Sequence, residues 1–165
     1  MNRAVNHRRS ERATATRCRA TWITPSNPIY YESLVEDCES GETLWSISKH
    51  AQCGDRVLLY ICAPVMAIVA AATLTADPQL LDAPENEWHG TYMAAMGGLR
   101  LLGTPISRAL LMQTFPSWRY WIQPHRSSRV RDEFVPGLDG LLASPGEQTA
   151  AARVVGLREE TSAQF

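Results

Sequence analysis

The sequence predicts an α+β fold: a small, curved antiparallel sheet that must curl or close, with helices beside it. Three observations predict it. The first is the stretch Cys53 to Thr75. Gly54-Asp55 is turn chemistry. Val57 to Cys62 is a short apolar run that fits a strand buried on both faces. Ala63-Pro64 breaks it, because proline cannot donate to a ladder, and Val65 to Thr75 supplies a second apolar run. The two runs make an antiparallel pair. The second observation is the order of elements: strand, helix, several strands, helix, strand, short helix, with no internal repeat. The third is the size of the sheet, which must curl or close to hide its edges.

Taken in order, Thr21 to Thr24 is β-rich and Pro25 ends it as the first strand. Ser26-Asn27-Pro28 is a turn. Pro28 to Cys38 places Ile29, Leu34 and Val35 among acids, the pattern of a short surface helix, which Ser40-Gly41 stops. Glu42 to Ser48 reads as a short strand or extended loop, and Lys49 to Gln52 as a linker. After the central pair the chain turns polar through Ala76 to Glu87; a loop of that length is functional or disordered. Thr91 to Leu102 is a strand with a bulge at Gly97-Gly98. Thr104-Pro105 has the form of a helix start, threonine at the N-cap and proline in the first turn. Ile106, Leu110, Leu111 and Phe115 continue the stripe, and Pro116 closes it. Trp118 to Gln123 is aromatic and strand-like, Pro124 to Arg131 is a basic loop, and Asp132 to Ala143 reads as a helix broken around Pro136-Gly137.

The chain has 165 residues, enough for one domain with tails. The domain is placed at 21–143, between a basic, disordered tail (1–20) and a polar C-terminal tail (144–165) with a weak helical patch from Thr149 to Arg158. Net charge is -1, but the charges are segregated. Arginine supplies all the basic side chains except Lys49. Arginines crowd the first tail, where Glu11 is the sole acid, and recur at Arg119, Arg126, Arg129 and Arg131. The acids gather at Glu32, Glu36, Asp37, Glu39 and Glu42. Such asymmetry permits a polyanionic partner. The first tail resembles a transit peptide in composition but has no amphipathic period. Cys18, Cys38, Cys53 and Cys62 form no CxxC and follow no secretory signal, so they read as cytosolic thiols. No apolar run reaches membrane-spanning length. A cytoplasmic protein with no membrane partner is the expectation.

The motifs of hydrolases, nucleotide-binding loops and zinc proteases are missing. His50 and Cys53 offer two metal ligands without the further pair a site needs, so neither metal nor cofactor is expected. Asp132-Glu133 is a helix start, and Cys62 a small core residue. The tryptophans say more. Trp45 and Trp88 each stand at the border of an apolar run, with polar neighbours (Ser46; Glu87 and His89). Either they cap the barrel, or they are walls around a flat ligand such as a nucleobase. Stacking on an aromatic face is worth about 1–3 kcal/mol per base, enough for two walls to offset the few kcal/mol of unstacking a base.

Several segments together resemble the EVE domain, a PUA-like relative of the YTH readers of methylated RNA. They are Trp22-Ile-Thr-Pro-Ser-Asn-Pro28, Leu44-Trp-Ser46, Gly54-Asp-Arg-Val-Leu-Leu-Tyr-Ile61 with Pro64, Ile68 to Leu74, and Trp88-His-Gly-Thr-Tyr92. The resemblance spans about Thr21 to Leu142, and its weight lies in order and spacing. It implies a pseudo-barrel with a pocket for a modified base. Carried over residue by residue, Trp45 and Trp88 are cage walls, Ser26 and Asn27 belong to the turn facing the base, and Ser46 contacts the base edge. Tyr30 and Trp22 are further candidates, each equally a packing residue. Pro25 stands where YTH proteins commonly have a basic residue.

The function this implies is a non-catalytic module that binds DNA or RNA carrying a modified base. Burying one methyl contributes about 0.8 kcal/mol, so discrimination is modest unless Asn27 or Ser46 adds a polar contact. Arg126, Arg129 and Arg131 would meet phosphates and set register, unless the loop is simply a solvated surface. Two rivals stand beside this reading. One is a small-molecule or partner-protein module using the same cleft. The other is an RNA-acting hydrolase of the related ASCH type, which would need a positioned lysine or tyrosine with an acid; Lys49 is the sole lysine.

Overall fold

The computed structural model describes residues 19–143. The expectations for both tails, and for the patch at Thr149 to Arg158, fall outside that range apart from Arg19 and Ala20. The strands are β1 (Thr21–Ser26), β2 (Glu42–Ser46), β3 (Arg56–Ile61), β4 (Ala67–Leu74), β5 (Gln79–Leu80), β6 (Tyr92–Ser107) and β7 (Ser128–Arg129). The helices are α1 (Tyr31–Ser40), α2 (Arg108–Thr114) and α3 (Val135–Ala143). One sheet runs β2-β6-β4-β3-β1-β7, with β5 added beside β6.

The central pair is as expected: β3 and β4 run antiparallel, with Arg56 opposite Thr73 and Ile61 opposite Ala67. The sheet as a whole is mixed rather than antiparallel, because β1 pairs with β3 in parallel. It is also not closed by a ladder. Its two edges are brought together by a side chain instead. Thr24 Oγ1 donates to the Ser46 carbonyl at 2.9 Å and lies 2.8 Å from Ser127 Oγ, so β1, β2 and the segment before β7 meet at one hydroxyl. Thr24 is 1% exposed; a buried hydroxyl that bridges two partners satisfies the requirement for pairing.

Strand alternation divides the core in two. Trp22, Val57, Leu59, Ile61, Ala67 and Val69 face the inside of the curl, with Trp45, Ile47 and Leu34 of α1. Ile23, Leu58, Tyr60 and Ile68 face the outside, under Leu111 of α2, Leu138 of α3 and an aromatic layer of Phe115, Trp118, Trp121 and Phe134. Tyr60 is 1% exposed, and burial foremost raises its phenol to about 12; the nearby Arg108 charge opposes this and Cys62 adds to it. The folded value exceeds the unfolded value of about 10. The stability tied to the neutral phenol is therefore complete below pH 10 and is lost as pH rises toward 12. Tyr60 should account for about 2–3 kcal/mol of the stability lost across that window in alkaline unfolding followed by circular dichroism, and Tyr60→Phe should shrink the loss without abolishing it, because burial also raises the Tyr120 phenol.

Four local expectations are corrected. Strand β1 continues through Pro25 to Ser26. Val130 N donates to Thr21 O, while Ser26 O accepts from Cys62 N. Odd-numbered residues of β1 thus point toward β7, which pairs only at Trp22 and Ile23. Pro25 points past its end, where no donor is needed. Thr104-Pro105 does not start a helix: β6 runs to Ser107, whose hydroxyl accepts from Leu110 N as the cap of α2. Pro105 sits in an irregular stretch of β6, since Ile68 pairs with Ile106 but Ala70 with Leu101. Trp118 to Gln123 is no strand; Arg119–Ile122 forms a 3-10 turn. The Asp132 to Ala143 region is a 3-10 turn (Asp132–Phe134) leading straight into α3, with Pro136 in its first turn rather than at a break. The bulge at Gly97-Gly98 is present: pairing slips between Ala71 and Thr73, and Gly98 takes φ 60°.

Candidate functional site

The turn after β1 positions the site. Asn27 Oδ1 accepts from Ile29 N at 3.1 Å, and Tyr30 N donates to Asn27 O at 3.1 Å. Pro28–Tyr30 is thereby wound into a rigid 3-10 turn, with proline fixing φ at its start. The turn leads into α1, which Gly41 ends in the left-handed conformation at φ 74°. The far side of the site comes from the loop before β6. Asn86 Oδ1 accepts from Trp88 N, and Trp88 O accepts from Thr91 N and Thr91 Oγ1.

These elements bring Tyr30, Trp45 and Trp88 together. The Tyr30 ring lies 5.1 Å from Trp88 at a tilt of 51°, and 6.4 Å from Trp45 edge-on at 82°. The Tyr30 hydroxyl donates to Glu87 Oε2 at 3.2 Å. That phenol is held above its usual range, by desolvation first and then by Glu87. The three rings, with Ser33, Asp37, Leu44, Ser46 and Met93, line a cavity of about 170 Å³. An apolar cavity of about 150 Å³ holds benzene, so this space suits one six-membered ring with a substituent. Trp45 is at once a wall and part of the inner core, at 9% exposure, whereas Trp88 is half-exposed. Asp37 belongs to this cavity as well. The sequence showed it only as one acid among several, and its carboxylate accepts from Thr43 Oγ1.

The remaining candidates go elsewhere. Ser26 and Asn27 line a second, shallower recess of about 480 Å³ with Cys62, Ala63 and His125. The exposed Ile29 stands on the turn between the two recesses. Trp22 lines neither recess. Its ring is 6% exposed in the inner core, and Nε1 donates to Asp55 Oδ2 at 2.9 Å. Arg126, Arg129 and Arg131 are exposed on the segment that Ser127 ties to Thr24, and through it to Ser46. Arg126 Nε donates to His125 Nε2 at 3.1 Å. Arg129 and Arg131 each lie 3.4 Å from an acid, Asp132 and Glu133. Exposed pairs of this kind are worth about 0–1 kcal/mol, so a phosphate can compete for both guanidinium groups. Lys49 is exposed and lines neither recess. Among the described residues no three His, Cys, Asp or Glu side chains gather as metal ligands, and no helix is long and apolar enough to cross a membrane.

A curled mixed sheet with helices over its outer face and a cavity at its seam defines the PUA-like α+β class. Solved structures of this fold match over most of their length. A protein from Pseudomonas putida has 16% identity and a TM-score of 0.62, covering 74% of this chain and 99% of its own. Human THYN1, solved in complex with DNA containing 5-methylcytosine, has 12% identity and a TM-score of 0.61, covering 77% and 99%. A serine-to-alanine variant of an ASCH protein from Zymomonas mobilis has 18% identity and a TM-score of 0.52, covering 74% and 96%. At such identities the likeness is one of fold. No family model and no curated protein matches the sequence.

Proposed function

We propose that this chain is a non-catalytic nucleic-acid-binding module that takes a modified base, drawn out of its stack, into the cavity between Tyr30, Trp45 and Trp88. The observation that carries this reading is the meeting of those three rings around a space of one heterocycle. Ser46 offers the base edge a polar group. Arg126, Arg129 and Arg131 receive the backbone, with Ser26 and Asn27 in the neighbouring recess contacting the adjoining sugar or base. The fold shared with a protein solved on methylated DNA supports the same ligand class.

The ASCH neighbour keeps a hydrolase in view. Lys49 stands outside both recesses, which counts against a lysine-based hydrolase, whereas Tyr30 beside Glu87 keeps a tyrosine and an acid at the cavity, and a turnover assay of wild type against Tyr30→Phe separates that rival from binding. The test is fluorescence anisotropy with labelled oligonucleotides carrying methylated, hydroxymethylated or unmodified bases. Wild type should prefer a modified oligonucleotide, with affinity falling as salt rises. Trp88→Ala removes a half-exposed wall with little cost to folding and should weaken that binding by about 5- to 100-fold. Negligible binding of every oligonucleotide at low salt would end the proposal.

A further inference from the structure

The lining of the ring cavity carries more than flatness. Its three rings present electron-rich surfaces. Asp37 is the charged group in the lining, and Glu87 stands beside it through the Tyr30 hydroxyl. Among the described residues that line the cavity, none is basic. Glu32, Glu36 and Glu39 add negative charge along α1, all exposed. A neutral base gains nothing from this field, whereas a cation gains from both the rings and the carboxylates. The opposite sign lies on the other side of the seam. There Ser127, joined through Thr24 to Ser46, places Arg126 and Arg129 on the adjacent segment. The site is thus negative where a base would enter and positive where its phosphate would lie.

Resting on the nucleic-acid reading above, we propose that the preferred ligand is a positively charged, ring-methylated base, and specifically a pyrimidine methylated on a ring nitrogen, as in N3-methylcytosine. The cavity of about 170 Å³ favours a single ring over a purine. Methylation at N3 makes the base basic enough to be a cation at neutral pH, while methylation at C5 adds the same carbon and leaves the ring neutral. The two isomers therefore separate charge from size. Asp37 is the specificity-determining residue, acting through its charge on the bound ring.

The test compares one oligodeoxynucleotide carrying N3-methylcytosine, C5-methylcytosine or cytosine at a single position, with wild type, Asp37→Asn and Glu87→Gln. Wild type should bind the N3-methylated strand at least about tenfold more tightly than the C5-methylated one. Asp37→Asn keeps an acceptor for Thr43 and should erase most of that preference, lowering N3-methylcytosine binding by much more than C5-methylcytosine binding. Glu87→Gln, on an exposed loop, should reduce the preference by less and guards against a folding defect in the first variant. Equal or better binding of the C5 isomer, unmoved by Asp37→Asn but lowered by Trp88→Ala, would overturn the charge proposal and leave the modified-base reading standing. A trimethyllysine peptide bound in place of every oligonucleotide would overturn both.

Discussion

Asp55→Ala is expected to lower stability by about 3–4 kcal/mol, with a fall in melting temperature of roughly 10–15 °C. Asp55 is 2% exposed, yet its carboxylate is fully engaged. Oδ1 accepts from Ala20 N at 3.1 Å; Oδ2 accepts from Trp22 Nε1 at 2.9 Å and Gln52 N at 3.0 Å. One side chain therefore joins the start of β1, the core tryptophan and the turn into β3. The alanine leaves two buried donors and one part-buried donor without an acceptor, and each buried loss costs about 1–3 kcal/mol before the structure relaxes or water enters. Asp55→Asn keeps one acceptor oxygen and turns an N–H toward the other donors, so it should fall between alanine and wild type. Trp22→Phe isolates the indole bond and should cost less than either. Urea unfolding with unchanged m values would read these differences directly. An Asp55→Ala variant as stable as wild type would mean that the β1–β3 junction is held by backbone pairing alone.

That junction also shows where the sequence stopped being informative. The β3–β4 hairpin was legible because its signals are local: an apolar run, a proline break and a second apolar run. Gly41 and Gly98 were legible for the same reason, since each takes a positive φ that other residues resist. The parallel pairing of β1 with β3 was not, because it joins segments separated by α1 and β2 and leaves no periodic trace. Pro105 misled because a threonine-proline pair serves a bulged strand as well as a helix start. The run from Trp118 misled because aromatic content signals strand propensity, while here those rings stack on one another: Trp118 lies 4.9 Å from Phe134 with the planes only 12° apart.

That Trp45 and Trp88 line one cavity was legible from their polar surroundings. Tyr30 was visible only as a lesser candidate, and Asp37 was indistinguishable from its acidic neighbours. Which face of α1 turns toward the rings depends on how Leu34 seats in the inner core, and that is a tertiary fact. Trp22 shows the reverse case: the same residue type, also near polar residues, turned inward because Asp55 waits to accept its N–H.

Trp45→Ala is the second large effect, and it should be double. Trp45 pairs opposite Ala94 on β6 and packs into the inner core, so its truncation creates a cavity worth about 3–5 kcal/mol of stability. On the proposed function it also deletes a wall of the ring-lined cavity, with an expected loss of about 1–3 kcal/mol in binding a modified base. The two losses separate experimentally. Trp45→Phe keeps most of the buried area and an aromatic face, so it should recover most of the stability and part of the affinity. Trp88→Ala should show the complementary profile, near-normal melting with weakened binding, because that ring is half-exposed and touches Tyr30 rather than the core. If Trp45→Ala, measured at a temperature where it is still folded, bound modified oligonucleotides as tightly as wild type, the ring-lined cavity would not be the binding site. The neighbouring recess of Ser26, Asn27 and His125 would then be the place to look.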